Sequence, residues 1–289
     1  NPMNHKMSSL DGALVLIVGL GETGLAAAQW CARQGARLRI ADTRAEPAGL
    51  DQLKGSLGAD ASVQWHLGCD AFPDCILEDA SCLVLSPGLS PLLSPVKELL
   101  VAAEAAGVEV IGEIELFARA LIWLKEQHGY APTLLGVTGT NGKTTVTAMT
   151  RHMLAESGCK VRAAGNISPA AIKALMEALD QDDLPDVWVL ELSSFQLVTT
   201  HSLRFEASVV MNLTQDHLDW HLGMEDYAQA KSRIFQMSDA CIVNRDDPLV
   251  VGMVPALTDV NVRSFGKEMP LLAGDFGMEL SHDVKWLVS

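Results

Sequence analysis

Gly136-Val-Thr-Gly-Thr-Asn-Gly-Lys-Thr144 decides the reading of this chain, because its composition and its position in the sequence agree. A short β-rich run, Thr133-Leu-Leu-Gly-Val137, leads into it, and a helical pattern from Val146 to Glu156 follows. In such a strand–loop–helix turn, glycines let successive N–H groups curl around phosphate oxygens, and the positive end of the helix adds attraction. Lys143 is placed to neutralise β- and γ-phosphate charge, and the Thr144 hydroxyl to sit on Mg2+. The spacing departs from G-x-x-x-x-G-K-[ST], since Val137 takes the first glycine position and the glycines are Gly136, Gly139 and Gly142. The bland alternative is a glycine-rich turn with a surface lysine. The context favours ATP.

Outward from this loop the chain alternates strand and helix. Leu14-Val-Leu-Ile-Val18 reads as a buried parallel strand, followed by a helix from about Leu25 to Gln34 and a second strand at Leu38-Arg-Ile-Ala41. Ser81-Cys-Leu-Val-Leu85, a helix over Val96 to Ala106 and a strand at Val108-Glu-Val-Ile111 complete a doubly wound α/β unit. A connecting helix around Glu113 to Gln127 precedes a second α/β series, with strands at Val187-Trp-Val-Leu190, Ala207-Ser-Val-Val-Met211 and Ala240-Cys-Ile-Val243. Beyond Pro270 a hairpin ending in Val284-Lys-Trp-Leu-Val288 is expected. The expected division is an α/β, Rossmann-like domain over 1–112, a connecting helix and linker over 113–131, and a P-loop ATPase-type α/β domain over 132–289, read as incomplete. The start, Asn1-Pro2-Met3, is unlike an initiation sequence.

A second glycine motif, Gly19-Leu-Gly-Glu-Thr-Gly24, fits G-x-G-x-x-G after the first strand, and Asp42 ends the next one. Taken literally this is a dinucleotide-binding fingerprint and an NAD-dependent oxidoreductase. The motif alone is weak, and any diphosphate-bearing ligand facing a helix N-terminus would want these glycines.

The bulk numbers narrow the partners. With 48% hydrophobic and 20% charged residues the chain is globular, and a formal net charge of −15 argues against a nucleic-acid-binding surface. No apolar run reaches membrane-spanning length and no signal peptide precedes the first strand. The six cysteines, Cys31, Cys69, Cys75, Cys82, Cys159 and Cys241, lack any framework spacing and read as reduced thiols. A cytoplasmic, monomeric protein with no membrane partner is expected.

Other residues sit where chemistry would want them. Glu191 follows the strand from Val187, and Asn212-Leu-Thr-Gln-Asp-His217 follows the next, both at carboxyl ends where open α/β sheets bind ligands. Mg2+ takes oxygen ligands, so by chemistry alone His217 reads as structural or as a general acid/base. His221 reads as an ordinary loop residue, and Asp216, Asp219 and Asp226 as solvated loop acids. Lys231, in a helix containing Tyr227-Ala-Gln-Ala-Lys-Ser-Arg-Ile-Phe235, reads as a solvated helix lysine.

Together, Gly139-Thr-Asn-Gly-Lys-Thr-Thr145, Glu191-Leu-Ser-Ser-Phe-Gln196, Asn212-Leu-Thr-Gln-Asp-His-Leu-Asp219 and Tyr227-x-x-Ala-Lys231 resemble the Mur ligases, ATP-dependent amide-forming enzymes of bacterial peptidoglycan precursor synthesis. Asp42-Thr-Arg44, Ser86-Pro-Gly88 and Gly112-Glu-Ile-Glu-Leu-Phe117 are most similar to the branch that adds D-glutamate to UDP-N-acetylmuramoyl-L-alanine through an acyl phosphate. The resemblance implies that the first glycine loop meets a UDP-sugar, with Gly21, Glu22, Thr23, Asp42, Thr43, Arg44 and Ser86 around it, and Asn166, Ser193 and Gln196 toward the muramoyl part. It implies ATP at Gly139, Thr140, Asn141, Gly142, Lys143, Thr144 and Thr145, with two Mg2+ ions. Thr144 and Glu191 would hold one ion; His217 and Lys231, carbamylated by CO2 into an anionic ligand, would hold the other. Lys143, Lys231 and His217 are then the catalytic candidates. Gly165-Asn-Ile-Ser-Pro169 is one residue shorter than the family's usual stretch, and the family's third, amino-acid-binding domain does not appear before Ser289. Folylpolyglutamate synthetases share the ATP-binding design but lack the first glycine domain. A Mur-type ligase for another amino acid and a nucleotide-binding fragment without ligase activity are the remaining alternatives.

Overall fold

Runs of apolar β-formers that end in a glycine turn can be satisfied in the centre of a parallel sheet, and the chain does this twice. The computed structural model describes residues 6–254, 261–270 and 272–289, so Asn1-Pro2-Met3 lies outside the described residues. Two compact units result, one built on the chain up to 131 with 168–184 and 199–203, the other on 132–167, 185–198 and the chain from 204.

In the first unit β1 (Leu14–Val18), α1 (Glu22–Arg33), β2 (Arg37–Asp42), α2 (Leu50–Ser56), β3 (Val63–Leu67), β4 (Ala80–Leu85), α3 (Val96–Ala106), β5 (Glu109–Ile111) and α4 (Glu113–His128) follow in order. Their strands form a parallel sheet in the order β3-β2-β1-β4-β5. Every residue of β1 is buried, as its uninterrupted apolar sequence requires of a central strand. Leu16, Val18, Leu83 and Leu85 pack against Val96, Leu99 and Ala103 of α3 on one face.

The second unit contains β6 (Thr133–Thr138), α5 (Lys143–Glu156) and β7 (Val161–Gly165). After α6 (Ala171–Asp180) come β8 (Val187–Glu191), α7 (Ser194–Val198), β9 (Phe205–Val210), α8 (Met224–Gln236), β10 (Ser238–Asn244), α9 (Pro248–Val251), β11 (Asn261–Phe265), β12 (Gly277–Ser281) and β13 (Val284–Val288). The parallel sheet runs β11-β10-β9-β6-β8-β7, and β12 and β13 form the expected antiparallel hairpin. Val137, Val187, Val189 and Val209 form its inner cluster beneath Val146 and Leu154 of α5. Among the described residues no helix is long and apolar enough to cross a membrane.

Helix α6 lies between β7 and β8 in sequence, yet belongs to the first unit, where it packs on α1 and α4. Its N-terminal amides have no cap from their own segment; Glu113 of α4 supplies one, its Oε1 accepting from Ile172 N at 2.5 Å. The central strands lie within two residues of where the sequence puts them, but both helices behind the glycine loops start earlier. α1 begins at Glu22 rather than Leu25, and α5 at Lys143 rather than Val146, because the glycine turn itself supplies the first helical residues.

Candidate active site

β6 is flanked by β9 on one side and β8 on the other, so the loop leaving its carboxyl end opens at the switch point of the sheet. Gly139 and Gly142 adopt φ of 146° and 84°, which an L side chain would resist, and they turn the chain into α5. The first helical bond, Val146 N to Gly142 O, leaves the amides of Lys143, Thr144 and Thr145 outside the ladder at the positive end of a 14-residue helix. Free backbone amides in this arrangement can hold an anion.

Thr140 and Asn141 contribute differently from the simple cradle expected of them. Their amides donate to Asn212 Oδ1 at 3.1 and 2.8 Å, and Asn212 Nδ2 returns a bond to Asn141 O at 2.9 Å. Thr140 Oγ1 also meets Tyr227 Oη at 3.0 Å and accepts from Thr214 N at 3.0 Å. The loop is therefore clamped to the segment after β9. Asn212 is a residue that motif reading quoted without assigning a role.

Thr144 Oγ1 donates to Glu191 Oε2 at 3.0 Å, and Asn166 Nδ2 lies 3.4 Å from Glu191 Oε1. Glu191 is the last residue of β8 and is buried, while Asn166 N donates to Glu191 O at 2.7 Å. Thr144, Glu191 and Asn166 are thus brought together from three segments.

Lys231 overturns the reading of a solvated helix lysine. It is 2% exposed, lies 5.0 Å from the Tyr227 ring centroid, and its Nζ donates to Gly139 O at 3.0 Å and Thr138 Oγ1 at 3.3 Å. Burial, with added repulsion from Lys143, pushes its amine down to about 7 against the pull of Asp216 and Glu191. Lys143 Nζ folds back onto Gly139 O at 2.7 Å and Thr140 O at 3.1 Å. Its pKa is lowered by burial despite Glu191 and Asp216.

His217 stands apart from these hydrogen bonds. It is half-exposed at φ 53°, pairs with Asp216 at 3.3 Å, and packs edge-on to Phe195 with ring centroids 4.9 Å apart. Ser193 and Gln196 bond each other: Ser193 N donates to Gln196 Oε1 at 3.0 Å and Gln196 N to Ser193 Oγ at 3.2 Å. This is a reciprocal capping box, legible in Ser193-x-x-Gln196. His221 and Asp226, read as ordinary loop residues, are also corrected: His221 is 1% exposed and bonds Asp226 and Ser194.

In the first unit the glycine loop leaves β1, between β2 and β4. A Cβ at Gly24 would stand 1.9 Å from Gly19 O, so only glycine lets α1 approach the loop this closely. Ser86 Oγ bonds Gly19 O at 3.1 Å and Leu20 N donates to Asp42 Oδ2 at 2.8 Å. The Asp42 carboxylate also takes Arg44 N and the Arg44 guanidinium at 2.8–3.0 Å. Burial opposes its charge, but Arg44 and the amides of Leu20 and Arg44 outweigh it and hold the carboxyl below its usual value. Asp42 thus shapes the loop while Thr43 and Arg44 stay exposed. Gly21 caps α1, Thr23 is half-buried in its first turn, and Glu22 there accepts from Ser168 Oγ at 2.7 Å. A separate cavity of about 730 Å³ in this unit, lined by Gln29, Arg37, Ser62 and Lys173, contains none of the loop residues.

The donor set can be matched to Mg2+. A hydroxyl and a carboxylate 3.0 Å apart, Thr144 and Glu191, are the hard-oxygen pair this ion takes beside phosphates. An amine is no such ligand, so Lys231 fits only after conversion to a carbamate. Among the described residues no three His, Cys, Asp or Glu side chains gather into a metal-holding group.

Two family models match the chain. Residues 13–112 match the N-terminal domain of MurD-like Mur ligases, and residues 137–282 the Mur ligase middle domain. Over 289 residues (99% of this chain) it is 60% identical to the UDP-N-acetylmuramoylalanine--D-glutamate ligase of Bordetella avium and 61% identical to that of Bordetella parapertussis. The chain spans 57% of the length of each of these relatives. A ligase structure from Neisseria meningitides, that of UDP-N-acetylmuramate:L-alanyl-gamma-D-glutamyl-meso-diaminopimelate ligase, shares the fold at a TM-score of 0.55 and 16% identity, over 96% of this chain and 84% of that one. A middle-domain match over half the chain, which takes in the loop after β6 and the acid that ends β8, means that the chain belongs to the Mur ligase family.

Proposed function

We propose that this chain carries the UDP-sugar-binding and ATP-binding parts of an ATP-dependent amide ligase that joins D-glutamate to UDP-N-acetylmuramoyl-L-alanine in bacterial peptidoglycan precursor synthesis. The observation that carries the reading is the meeting of Thr144, Glu191 and Asn166 beside a loop whose Gly139 carbonyl takes both Lys143 and Lys231. A phosphoryl-transfer site needs positioning and positive charge more than covalent machinery, and this arrangement offers both.

In this mechanism the L-alanyl carboxylate attacks the γ-phosphate of ATP, the bond to the β–γ bridging oxygen breaks, and ADP leaves. Lys143 swings from its loop carbonyls to the phosphate oxygens and offsets the charge spread over them. The amides of Lys143, Thr144 and Thr145 hold the phosphates at the start of α5. The acyl phosphate is then attacked by the amine of D-glutamate, and the tetrahedral intermediate expels phosphate. Two Mg2+ ions, one held by Thr144 and Glu191 and the other by His217 and a carbamylated Lys231, would supply further positive charge to the phosphates. A buried amine with a pKa of about 7 is partly neutral at physiological pH, the form that adds to CO2 with loss of a proton.

The first glycine loop would take the uridine diphosphate on the N-terminal amides of α1, with Thr43, Arg44 and Ser86 beside them. Asn166, Ser193 and Gln196 would line the path of the muramoyl part, Ser193 and Gln196 by fixing α7. The net charge of −15 argues against nucleic acid as a partner, while a few backbone N–H groups and one lysine suffice to hold a phosphate locally. A cytoplasmic monomer remains the working expectation.

The test is phosphate release from ATP with UDP-N-acetylmuramoyl-L-alanine, with and without D-glutamate, for this chain and for one extended to the length of its relatives. Release by the extended chain that depends on both substrates, and is lost in Lys143→Ala, is the expected result. Turnover unchanged by Lys143→Ala would remove the loop from the reaction. Nucleotide binding without release in both chains would leave a binding module.

A further inference from the structure

Ser194, His221 and Asp226 form a linear hydrogen-bond chain: His221 Nε2 lies 2.8 Å from Ser194 Oγ and His221 Nδ1 3.0 Å from Asp226 Oδ2. The connectivity is that of a hydrolytic Ser-His-Asp triad. Accessibility rules that use out, because Ser194 and His221 are each 1% exposed and a substrate carbonyl has no approach to the hydroxyl.

The chain members come from three different segments. Ser194 opens α7, three residues after Glu191; His221 lies four residues after His217; Asp226 lies in the first turn of α8, five residues before Lys231. Every side chain offered above as a metal ligand from beyond α5 therefore has one relay member within five positions. Phe195, Trp220 and Tyr227 surround the imidazole with ring centroids 5.7, 4.7 and 5.4 Å away, and this apolar enclosure strengthens the two bonds. The Asp226 side chain is half-exposed and also accepts from Leu222 N at 3.1 Å, so it acts as the acceptor toward Nδ1–H. That leaves the Nε2 lone pair to accept the Ser194 hydroxyl proton. Burial lowers the His221 pKa despite Asp226, which is consistent with a neutral ring. Arg233 of α8 adds a parallel tie, donating from Nε to Leu197 O at 2.8 Å.

We propose that Asp226–His221–Ser194 is a positioning relay that locks the segments bearing Glu191, His217 and Lys231 in register, and so governs how tightly a divalent cation is held beside the nucleotide. Its role in metal retention rests on the ligase reading; its hydrogen-bond geometry does not.

Two measurements on this chain separate the two. Nitrogen-15 NMR of the histidines without ligand reads the tautomer: Nδ1-protonated His221 is expected, and the Nε2-protonated form overturns the relay. Mn2+ is then titrated by electron paramagnetic resonance at saturating ADP, beside ADP affinity measured in EDTA. Ser194→Ala and His221→Ala are expected to weaken Mn2+ about tenfold while metal-free ADP binding stays within twofold; His221→Asn, which keeps a donor toward Asp226, should recover part of the loss. Unchanged Mn2+ affinity in His221→Ala, or equal loss of Mn2+ and ADP in the milder Ser194→Ala, overturns the proposal. If the wild-type chain binds neither ADP nor Mn2+, the ligase reading fails, and the tautomer alone decides the relay.

Discussion

Lys143 and Lys231 donate to the same carbonyl oxygen, that of Gly139, at 2.7 and 3.0 Å. Burial pushes the Lys231 amine down to about 7, and repulsion from Lys143 on the shared acceptor adds to the shift. One sits in the phosphate loop and the other 88 positions later on α8, so only folding makes them neighbours.

The first prediction concerns stability. Because the folded pKa of Lys231 lies below that of the unfolded chain, the unfolded state binds more protons between about pH 7 and 10.5. Stability from this group therefore rises with pH across that window, and the cost is full below it. Lys231→Met should flatten the rise, with a gain on the order of 2 kcal/mol in urea-unfolding free energy at pH 7 relative to pH 10. An unchanged pH slope would count against a buried amine.

Carbamylation can be read directly. With 13C-bicarbonate at pH 7.5 the chain should gain a carbamate resonance that Lys231→Arg lacks. Lys143→Met should weaken that resonance, since removing the neighbouring cation raises the Lys231 pKa and no longer favours an anionic product. A signal that persists in Lys231→Arg would assign the adduct elsewhere.

Glu113 titrates in the opposite sense. Burial raises its carboxyl to about 7, with repulsion from Glu22 adding to this and the Ile172 amide working against it, and its Oε2 is buried without a partner among the described residues. The folded state binds more protons between about pH 4.5 and 7, so stability falls as pH rises through that window and stays low above it. Glu113→Gln keeps an acceptor for Ile172 N and should stabilise the chain at pH 8 by on the order of 2 kcal/mol, with little effect at pH 4.5. Thermal melts at the two pH values check it; equal shifts at both would refute the titration.

Thr144→Val tests the hydroxyl–carboxylate pair. It removes the 3.0 Å bond to Glu191 at nearly constant volume. MgATP binding should weaken about tenfold, a loss of about 1.4 kcal/mol, while metal-free ADP binding changes little. Calorimetry with and without EDTA distinguishes the two.

Gly24→Ala places a methyl 1.9 Å from Gly19 O, a clash with backbone rather than with a movable side chain. Pushing α1 off the loop should cost about 2 kcal/mol or more and abolish binding of UDP measured by fluorescence or calorimetry. Wild-type UDP affinity in this variant would exclude the first glycine loop as the site.

What could be read from residues alone follows the physics of burial. Central strands such as β1 and β8 are buried at every position, so they appear as unbroken apolar runs, and the two glycine loops after β1 and β6 appear with them. The missed strands, β3, β7 and β11, are all sheet edges. An edge strand meets water on one side, so Val63-Gln-Trp-His-Leu67 and Asn261-Val-Arg-Ser-Phe265 carry polar residues and lose that signal.

The site divides along the same line. By itself the sequence determined a phosphate loop, a second glycine loop, their strand–loop–helix setting and, through motif combination, the family. Only the tertiary structure decided that Lys231 is buried on the loop's carbonyl, that Asn212 clamps the loop amides, and that His221 joins Ser194 to Asp226. Phosphate-loop chemistry is local, written in consecutive residues that must turn together. The state of a lysine or histidine is set by the elements packed against it, and those lie far away in the chain.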